Sequence, residues 1–425
     1  MTERNAGPAA MSPQQTHAGT RAGPTPAEQS GPVILLPRRR PGHLGPVHIT
    51  QLLLAEAAIV AVLTTVSRGW VIAVGAAVGA AILLLVTLSR RQGRWWLERW
   101  LMSRRYRQRR QVTLGSSYHD DPRLGLLHTL APGLVVEDVE TINGGRVGVA
   151  RDDSGWFAVA QVSNSTMGDA SGSVPLEPMA AVLAEIEQPG VVLQMVTQVV
   201  PSPSIDAHPS SPAAYSYRQL LAGFGSAPVP ADRTTWIAVR LDARSLAKAL
   251  GDGWADLETA PAVVAALVRR IAKSLRQVGI SHRLVDANGL LALLARSCDL
   301  EPVGGNQDPT PPREEWSAWH SSRFAHRSFW IRGWPPIDEA AALLQNLSST
   351  PAAMTTIAMI LASDEANGLL DLRGLVRVSA PAPELNQMCQ LMTSQARQSR
   401  ADLFQLDGEQ GPAVYATAPT GGGQR

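Results

Sequence analysis

ITQLLLAEAAIVAVLTTV (residues 49–66) and WVIAVGAAVGAAILLLVTL (residues 70–88) are separated only by Ser67-Arg68-Gly69, and RRQGRWWLERWLMSRRYRQRR (residues 90–110) follows directly. Apolar runs of about 18–20 residues have the helical length that crosses about 30 Å of hydrocarbon. The stretch therefore predicts a membrane hairpin of two transmembrane helices within 49–88, followed by an Arg/Trp juxtamembrane helix over 89–111. Arg38–Arg40 precede the first run, nine arginines follow the second, and Arg68 lies in the loop between them. The positive-inside rule then places the chain in the plasma membrane with both termini cytoplasmic.

Working outward, Glu56 sits inside the first run, where a carboxylate costs about 2.5–3.5 kcal/mol on insertion scales. It is either a partner contact or a protonated or snorkelling side chain. Gly75 and Gly79 have small-xxx-small spacing, which permits close helix approach within the hairpin or to another subunit. Arg94, Trp95, Trp96, Arg99, Trp100, Arg104 and Arg105 form a basic aromatic collar. Its expected contacts are lipid headgroups and neighbouring subunits, with indoles at headgroup depth and guanidinium groups on phosphate. An RNA-binding arginine-rich helix is the competing reading, and adjacency to the apolar run favours the membrane, so no nucleic-acid partner is expected.

The remaining chain bounds the possibilities. Of 425 residues, 45% are hydrophobic and the net charge is +2, so the whole chain is neither a polytopic transporter nor a polyanion binder. Two distant cysteines, Cys298 and Cys389, give no disulfide framework and no thiolate zinc site. Residues 1–32, rich in Pro, Ala, Gly and Ser, are expected to be a disordered tail, and 33–48 a basic juxtamembrane segment. Residues 112–133 read as a linker, 134–417 as a cytoplasmic α/β domain, and 418–425 as a flexible tail.

Within that domain, Leu134–Thr141, Arg146–Arg151 and Trp156–Val162 form a meander, separated by Asn143-Gly144-Gly145 and Asp152-Asp153-Ser154-Gly155. Strand 156–162, helix 178–188, strand 191–200, a Pro/Ser loop over 201–212 with a short helix around 213–222, strand 234–241, helix 261–278 and strand 280–285 then follow. The order recurs as strand 328–331, helix 336–347, strands 352–361 and 369–378, helix 384–399 and strand 402–405. Both series read β-α-β-β-α-β, the split βαβ unit, and suggest duplicated halves over 156–299 and 313–417 in mixed sheets. An extra helix, Ala287–Cys298, and a Trp-rich hairpin, Glu315–Trp330, lie between them.

No P-loop, dinucleotide fingerprint, G-x-S-x-G elbow, H-E-x-x-H or kinase signature occurs, so no catalytic residue, metal or cofactor is assigned. His320 and His326, with Cys298 upstream, lack zinc-site spacing and read as ordinary polar histidines. Asp252 and Asp256 lack the D-x-D spacing of a metal-bound sugar-nucleotide site and read as a polar helix approach. They nonetheless define the alternative of a membrane-anchored glycosyltransferase-like enzyme or a degenerate relative of one. Trp316, Trp319, Trp330 and Trp334, among Arg313, Arg323, Arg327 and Arg332, are either a docking surface or a core.

Gly93-Arg94-Trp95-Trp96-Leu97-Glu98-Arg99-Trp100 with Arg104-Arg105 and Arg109-Arg110 resembles the EccE family of membrane subunits from the actinobacterial type VII (ESX) secretion system. Gly145-Arg146-Val147-Gly148-Val149 and Gly155-Trp156-Phe157-Ala158-Val159 are similar to that family's first cytoplasmic strands. The likeness is clearest over residues 33–165, and the Pro-rich 1–32 departs from it. The resemblance implies a non-enzymatic structural subunit at the periphery of a membrane complex with EccB-, EccC- and EccD-type subunits, EccC being the ATPase. It carries over no catalytic residues.

Overall fold

The computed structural model describes residues 35–37, 43–44, 47–67, 69–88, 90–91, 94–112, 121–141, 144–162, 176–184, 186, 190–201, 212, 216, 219, 231–250, 258–277, 279–301, 311–364 and 369–422. The expected disordered tail 1–32, Arg38–Arg40, Asp252 and Asp256 lie outside these residues. In chain order the first elements are β1 (Leu35–Pro37), β2 (His43–Leu44), β3 (Val47–His48), α1 (Ile49–Val66), α2 (Trp70–Leu88), β4 (Arg90–Arg91), β5 (Arg94–Trp95), α3 (Trp96–Val112) and α4 (Pro122–Leu127). There follow β6 (Val135–Glu140), β7 (Arg146–Asp152), β8 (Gly155–Val162), α5 (Leu176–Ala184), β9 (Val191–Pro201), β10 (Ala231–Asp242), α6 (Ala243–Leu250), α7 (Ala260–Gln277), β11 (His282–Leu284) and α8 (Ala287–Ser297). The last are β12 (Arg313–Glu314), β13 (Trp319–His320), β14 (Ala325–Gly333), α9 (Ile337–Ser348), β15 (Met354–Asp364), β16 (Leu369–Ala380), α10 (Leu385–Gln398), β17 (Asp402–Gln405) and α11 (Gln410–Thr417).

Instead of mixed sheets, one 13-stranded sheet forms, with the order β12-β13-β14-β16-β15-β9-β10-β8-β7-β6, β17 also on β14, β11 on β8 and β1 on β16. Every pairing in it is antiparallel except β1 with β16. Two runs across it share one order: β11-β8-β10-β9 and β17-β14-β16-β15. In each, the fourth, first, third and second strands of a split βαβ unit lie side by side. That order leaves the second strand as an edge. Those edges, β9 and β15, are apolar and pair with each other, Met195 opposite Met359. Joining them removes two exposed ladders at once, which is why a single sheet forms rather than two.

The sheet's two faces are both buried. Along β10, Ile237, Val239 and Leu241 enter one core while Trp236 and Ala238 enter the other, and β8 does the same with Ala158 and Ala160 against Phe157 and Val159. This is the period-2 alternation of a strand, apolar on both sides because helices cover both. Helices α5, α7, α9 and α10 supply the first core, and α8 and α11 the second. In α7, Val264, Val268, Ile271 and Leu275 recur at helical spacing and are buried, worth about 1.5–3 kcal/mol each for the larger side chains. The helix stops before Gly279, at φ +80°. Asp286 caps α8 by accepting from the Gly289 amide at 2.8 Å.

Several expectations are corrected here. The hairpin helices form over Ile49–Val66 and Trp70–Leu88, but among the described residues no helix is long and apolar enough to cross a membrane. With 18 and 19 residues they stand at the short end of the range for a span, and α1 is further interrupted by Gln51, Glu56, Thr64 and Thr65. The two-span plasma-membrane placement with cytoplasmic termini is corrected with them. The expected linker, 112–133, holds α4, and its Leu127 and Ala131 are core residues. The tail is packed through residue 422: the Thr420, Gly421 and Gly422 amides donate to Gln194 Oε1 at 3.1, 2.7 and 3.0 Å. Gly421, at φ +75°, lies where a Cβ would run into the Arg240 side chain.

Candidate functional site

The collar helix α3 turns one stripe toward the outer strands of the second half. Arg99, Tyr106 and Arg109 recur at helical spacing, and each meets the segment around β12 or the loop before α11. Arg109 donates to both carboxylate oxygens of Glu314, at 3.2 and 3.1 Å, and also to the Gly408 carbonyl at 2.5 Å. A two-pronged guanidinium–carboxylate contact fixes orientation as well as contributing energy. The Tyr106 hydroxyl donates to the Glu314 carbonyl at 3.3 Å, and its ring meets Trp316 edge-on at 5.6 Å. Arg99 lies over the same indole at 5.5 Å. Gly408, at φ +76°, makes room for that indole, because a Cβ there would stand 2.8 Å from it. Glu314 also accepts from the Gly411 amide at 3.0 Å, so one carboxylate ties α3 to the first turn of α11.

The other collar residues divide. Trp100 is 46% exposed and stacks under Arg104 at 5.3 Å. Arg105 points outward. Arg94 and Trp95 belong to β5 and Trp96 opens α3, with side chains outside the described residues. Glu56 is exposed on α1. A Cβ at Gly75 or Gly79 would meet nothing within 4 Å, so neither glycine is needed for α1 to lie against α2. Leu53, Ile59, Leu63, Trp70, Val71 and Ile82 are all more than half exposed, leaving the hairpin with an uncovered apolar surface.

The tryptophan cluster does not act as one surface. Trp319 is buried beside His326, Trp316 lies beneath α3, and Trp334 packs over Gly374. The surrounding arginines are engaged internally: Arg323 with Asp299, Arg327 with the Ser317 carbonyl and Arg332 with Asp402.

Two buried polar groups were not legible in the sequence. In the first, Arg240 pairs with Asp152 and donates to the Thr420 carbonyl, while the Tyr415 hydroxyl donates to Asp152 at 2.9 Å. Burial and the neighbouring Asp152 charge push the Tyr415 phenol well above its ordinary range. Its counterpart is Arg377, which donates to the Ser297 and Val414 carbonyls. Val192 and Thr356 each precede the Met195–Met359 pair by three residues, and their outward neighbours are Arg240 and Arg377. The duplicated sheet thus places one buried cation in each half at the same register. Arg377 of the second half reaches the end of α8 from the first. Arg240 of the first half reaches the chain just after α11 from the second. Carbonyls at helix ends favour such cations.

The second group gathers Asp299, Ser321, Arg323 and His326. His326 Nε2 stands 3.2 Å from Ser321 Oγ and 3.4 Å from Asp299, and Nδ1 stands 2.7 Å from Ser379 Oγ. The residue types match a nucleophilic triad, but the wiring differs. Ser321 Oγ accepts the Arg323 and Phe324 amides and donates to Asp299, so it closes a turn. Burial holds the His326 pKa below its ordinary value despite Asp299. Burial also opposes the Asp299 charge, yet His326, Arg323 and Ser321 outweigh it and keep that carboxyl below the usual range. Cys298, with its thiol pushed to about 11 by burial, adjoins Arg377 rather than a histidine, and His320 pairs with Glu315 at 3.3 Å. No group of three metal-ligating side chains occurs among the described residues.

The site is thus a sheet buried on both faces, with polar clusters that tie its elements together and a basic helix held against its outer strands. Residues 229–331 match a family model described as "Putative type VII ESX secretion system translocon, EccE". The chain is similar to EccE over that segment, which runs from β10 to within β14 and includes Arg240, Asp299, Glu314 and His326. This is downstream of residues 33–165, where the resemblance was clearest in the sequence. No curated protein matches the chain.

Proposed function

We propose that this chain is a non-enzymatic structural subunit of a type VII (ESX) secretion complex that stabilises the assembly at its periphery. The match over 229–331 is the observation that carries the reading. Two features support it. The α1–α2 hairpin exposes a run of large apolar side chains of the kind that partners cover. The duplicated sheet is a rigid base for it, and the Arg109–Glu314 contact holds α3, the element that follows the hairpin, on that base. EccB-, EccC- and EccD-type subunits are the proposed neighbours. Glu56, Gly75 and Gly79 on the hairpin and Trp100, Arg104 and Arg105 on the outward side of α3 are the proposed contact residues. Arg94, Trp95 and Trp96 extend that contact toward the hairpin, whereas Arg99 helps to seat α3.

The test is affinity purification of the tagged full chain from cells that carry such a system. Co-purification of EccC- and EccD-type proteins is expected, with their recovery reduced about tenfold or more by replacing Leu63, Val71 and Ile82 with Ser, since each buried aliphatic contributes about 1.5–3 kcal/mol. Recovery of the chain alone, with the other subunits assembled without it, refutes the reading.

A further inference from the structure

We propose that the hollow between the C-terminal half of α7 and strand β11 docks an acidic segment of a partner protein. Arg269, Arg270, Lys273, Arg276 and His282 line it around Leu284 as an open hollow of about 630 Å³, and no carboxylate is among its lining residues. A chain of net charge +2 thus gathers four permanent cations in one place. Among the described residues, Arg269, Lys273 and Arg276 have no ion pair of their own.

The duplication supplies an internal control. The buried positions Val264, Val268, Ile271 and Leu275 of α7 correspond to Leu385, Cys389, Met392 and Ala396 of α10, with the same spacing. That alignment sets Arg269, Arg270, Lys273 and Arg276 against Gln390, Leu391, Ser394 and Arg397. One fold position is therefore strongly cationic in the first half and nearly neutral in the second. Neither the helix period nor the spacing of its buried residues requires the charge, and this difference between the halves is what the proposed ligand accounts for.

The spacing selects the ligand. From Arg269 to Arg276 the cations extend about 10 Å along the helix axis. A single phosphate group is too small to reach all of them. An extended peptide sets like-facing side chains about 7 Å apart, so two or three carboxylates of an acidic segment span the row. The apolar Leu284 and the methylene stems of the arginines supply a floor for the intervening side chains. The inference rests on the complex-subunit reading only for which protein carries the segment.

The experiment uses the purified full chain and fluorescein-labelled decaglutamate, followed by fluorescence anisotropy at low and physiological salt. Saturable binding that weakens with salt is expected. Arg269→Glu/Lys273→Glu/Arg276→Glu should abolish it, and Arg397→Glu, at the corresponding place in the other half, should leave it unchanged. Should the triple variant fail to fold, Lys273→Glu alone carries the test, with an expected loss of about tenfold. Wild-type affinity in the variants, an equal loss with Arg397→Glu, or displacement of the peptide by lower concentrations of inorganic tripolyphosphate than of unlabelled decaglutamate would each overturn the proposal. Co-purification with the other subunits reads the subunit role separately: a chain that co-purifies yet ignores decaglutamate refutes only this site.

Discussion

Replacing Arg240 by Met tests the energetic account of the sheet's second face. The Arg240 and Asp152 side chains are 3% and 0% exposed, so neither charge is relieved by water. Methionine keeps most of the stem that packs beside Gly421, removes the guanidinium that lies over the Phe157 ring and strands the Asp152 carboxylate. Breaking a buried pair by removing one partner costs about 3–5 kcal/mol. Tyr415 and the Ser154 amide still donate to Asp152, at 2.9 and 2.8 Å, which limits the loss. The Thr420 carbonyl loses its donor, at about 1–3 kcal/mol if it stays buried. The net expectation is about 4 kcal/mol. With a urea m-value of about 3 kcal/mol per molar, the unfolding midpoint followed by tryptophan fluorescence should fall by about 1.3 M. Adding Asp152→Asn should recover about half of it, because the stranded charge is gone. Arg377→Met should cost less, about 2 kcal/mol, since Arg377 donates to carbonyls and a hydroxyl rather than to a carboxylate. A midpoint shift under about 0.3 M for Arg240→Met, or a larger one for Arg377→Met, would refute the argument from stranded charge.

Arg109→Ala and Glu314→Gln should each loosen α3, with a coupling of about 1 kcal/mol in a double-mutant cycle, because the pair is only partly shielded at 33% and 11% exposure. Hydrogen exchange along Trp96–Val112 should quicken by a similar factor in either variant, and unchanged exchange in both would show that the contact does not hold the helix. Stability should also fall as pH drops below about 6.5: burial lowers the His326 pKa in the folded chain, so the unfolded chain takes up that proton more readily and binds more protons there. Asp299, held below the usual carboxylate range, contributes stability above about pH 3.8 that is lost as pH falls through its lower folded value. Urea midpoints at pH 7.5 and pH 5.5 should therefore differ in the wild type and converge in His326→Gln; equal midpoints in the wild type would sink the assignment.

Some of this was legible residue by residue. The run Trp236-Ile237-Ala238-Val239 is too apolar for a one-faced strand, and it is buried on both sides. The α1 and α2 limits follow from the apolar runs themselves, yet an apolar run does not state what covers it, and the reading of two membrane spans failed at that step. Arg240 and Arg377 gave no warning either. Each stands in a strand among apolar neighbours, where a lone arginine looks like a solvent-facing residue. The Trp-rich segment could not be divided by composition: Trp319 and Trp316 are three residues apart, one in the core and the other against Tyr106 of a helix much earlier in the chain.

By itself, the sequence determined the local periods of the longer helices and strands and the order in which they recur, but not α4, α6 or α11. These depend on neighbours within a few residues, through alternation and helical spacing. Tertiary structure alone decided that the two units join through β9 and β15, that their buried arginines reach helix ends in the opposite half, and that α3 is held by Glu314. Such contacts depend on which sheet edges are left open and on the register at which they close. Both are properties of the assembled layers, and no residue's own propensity encodes them.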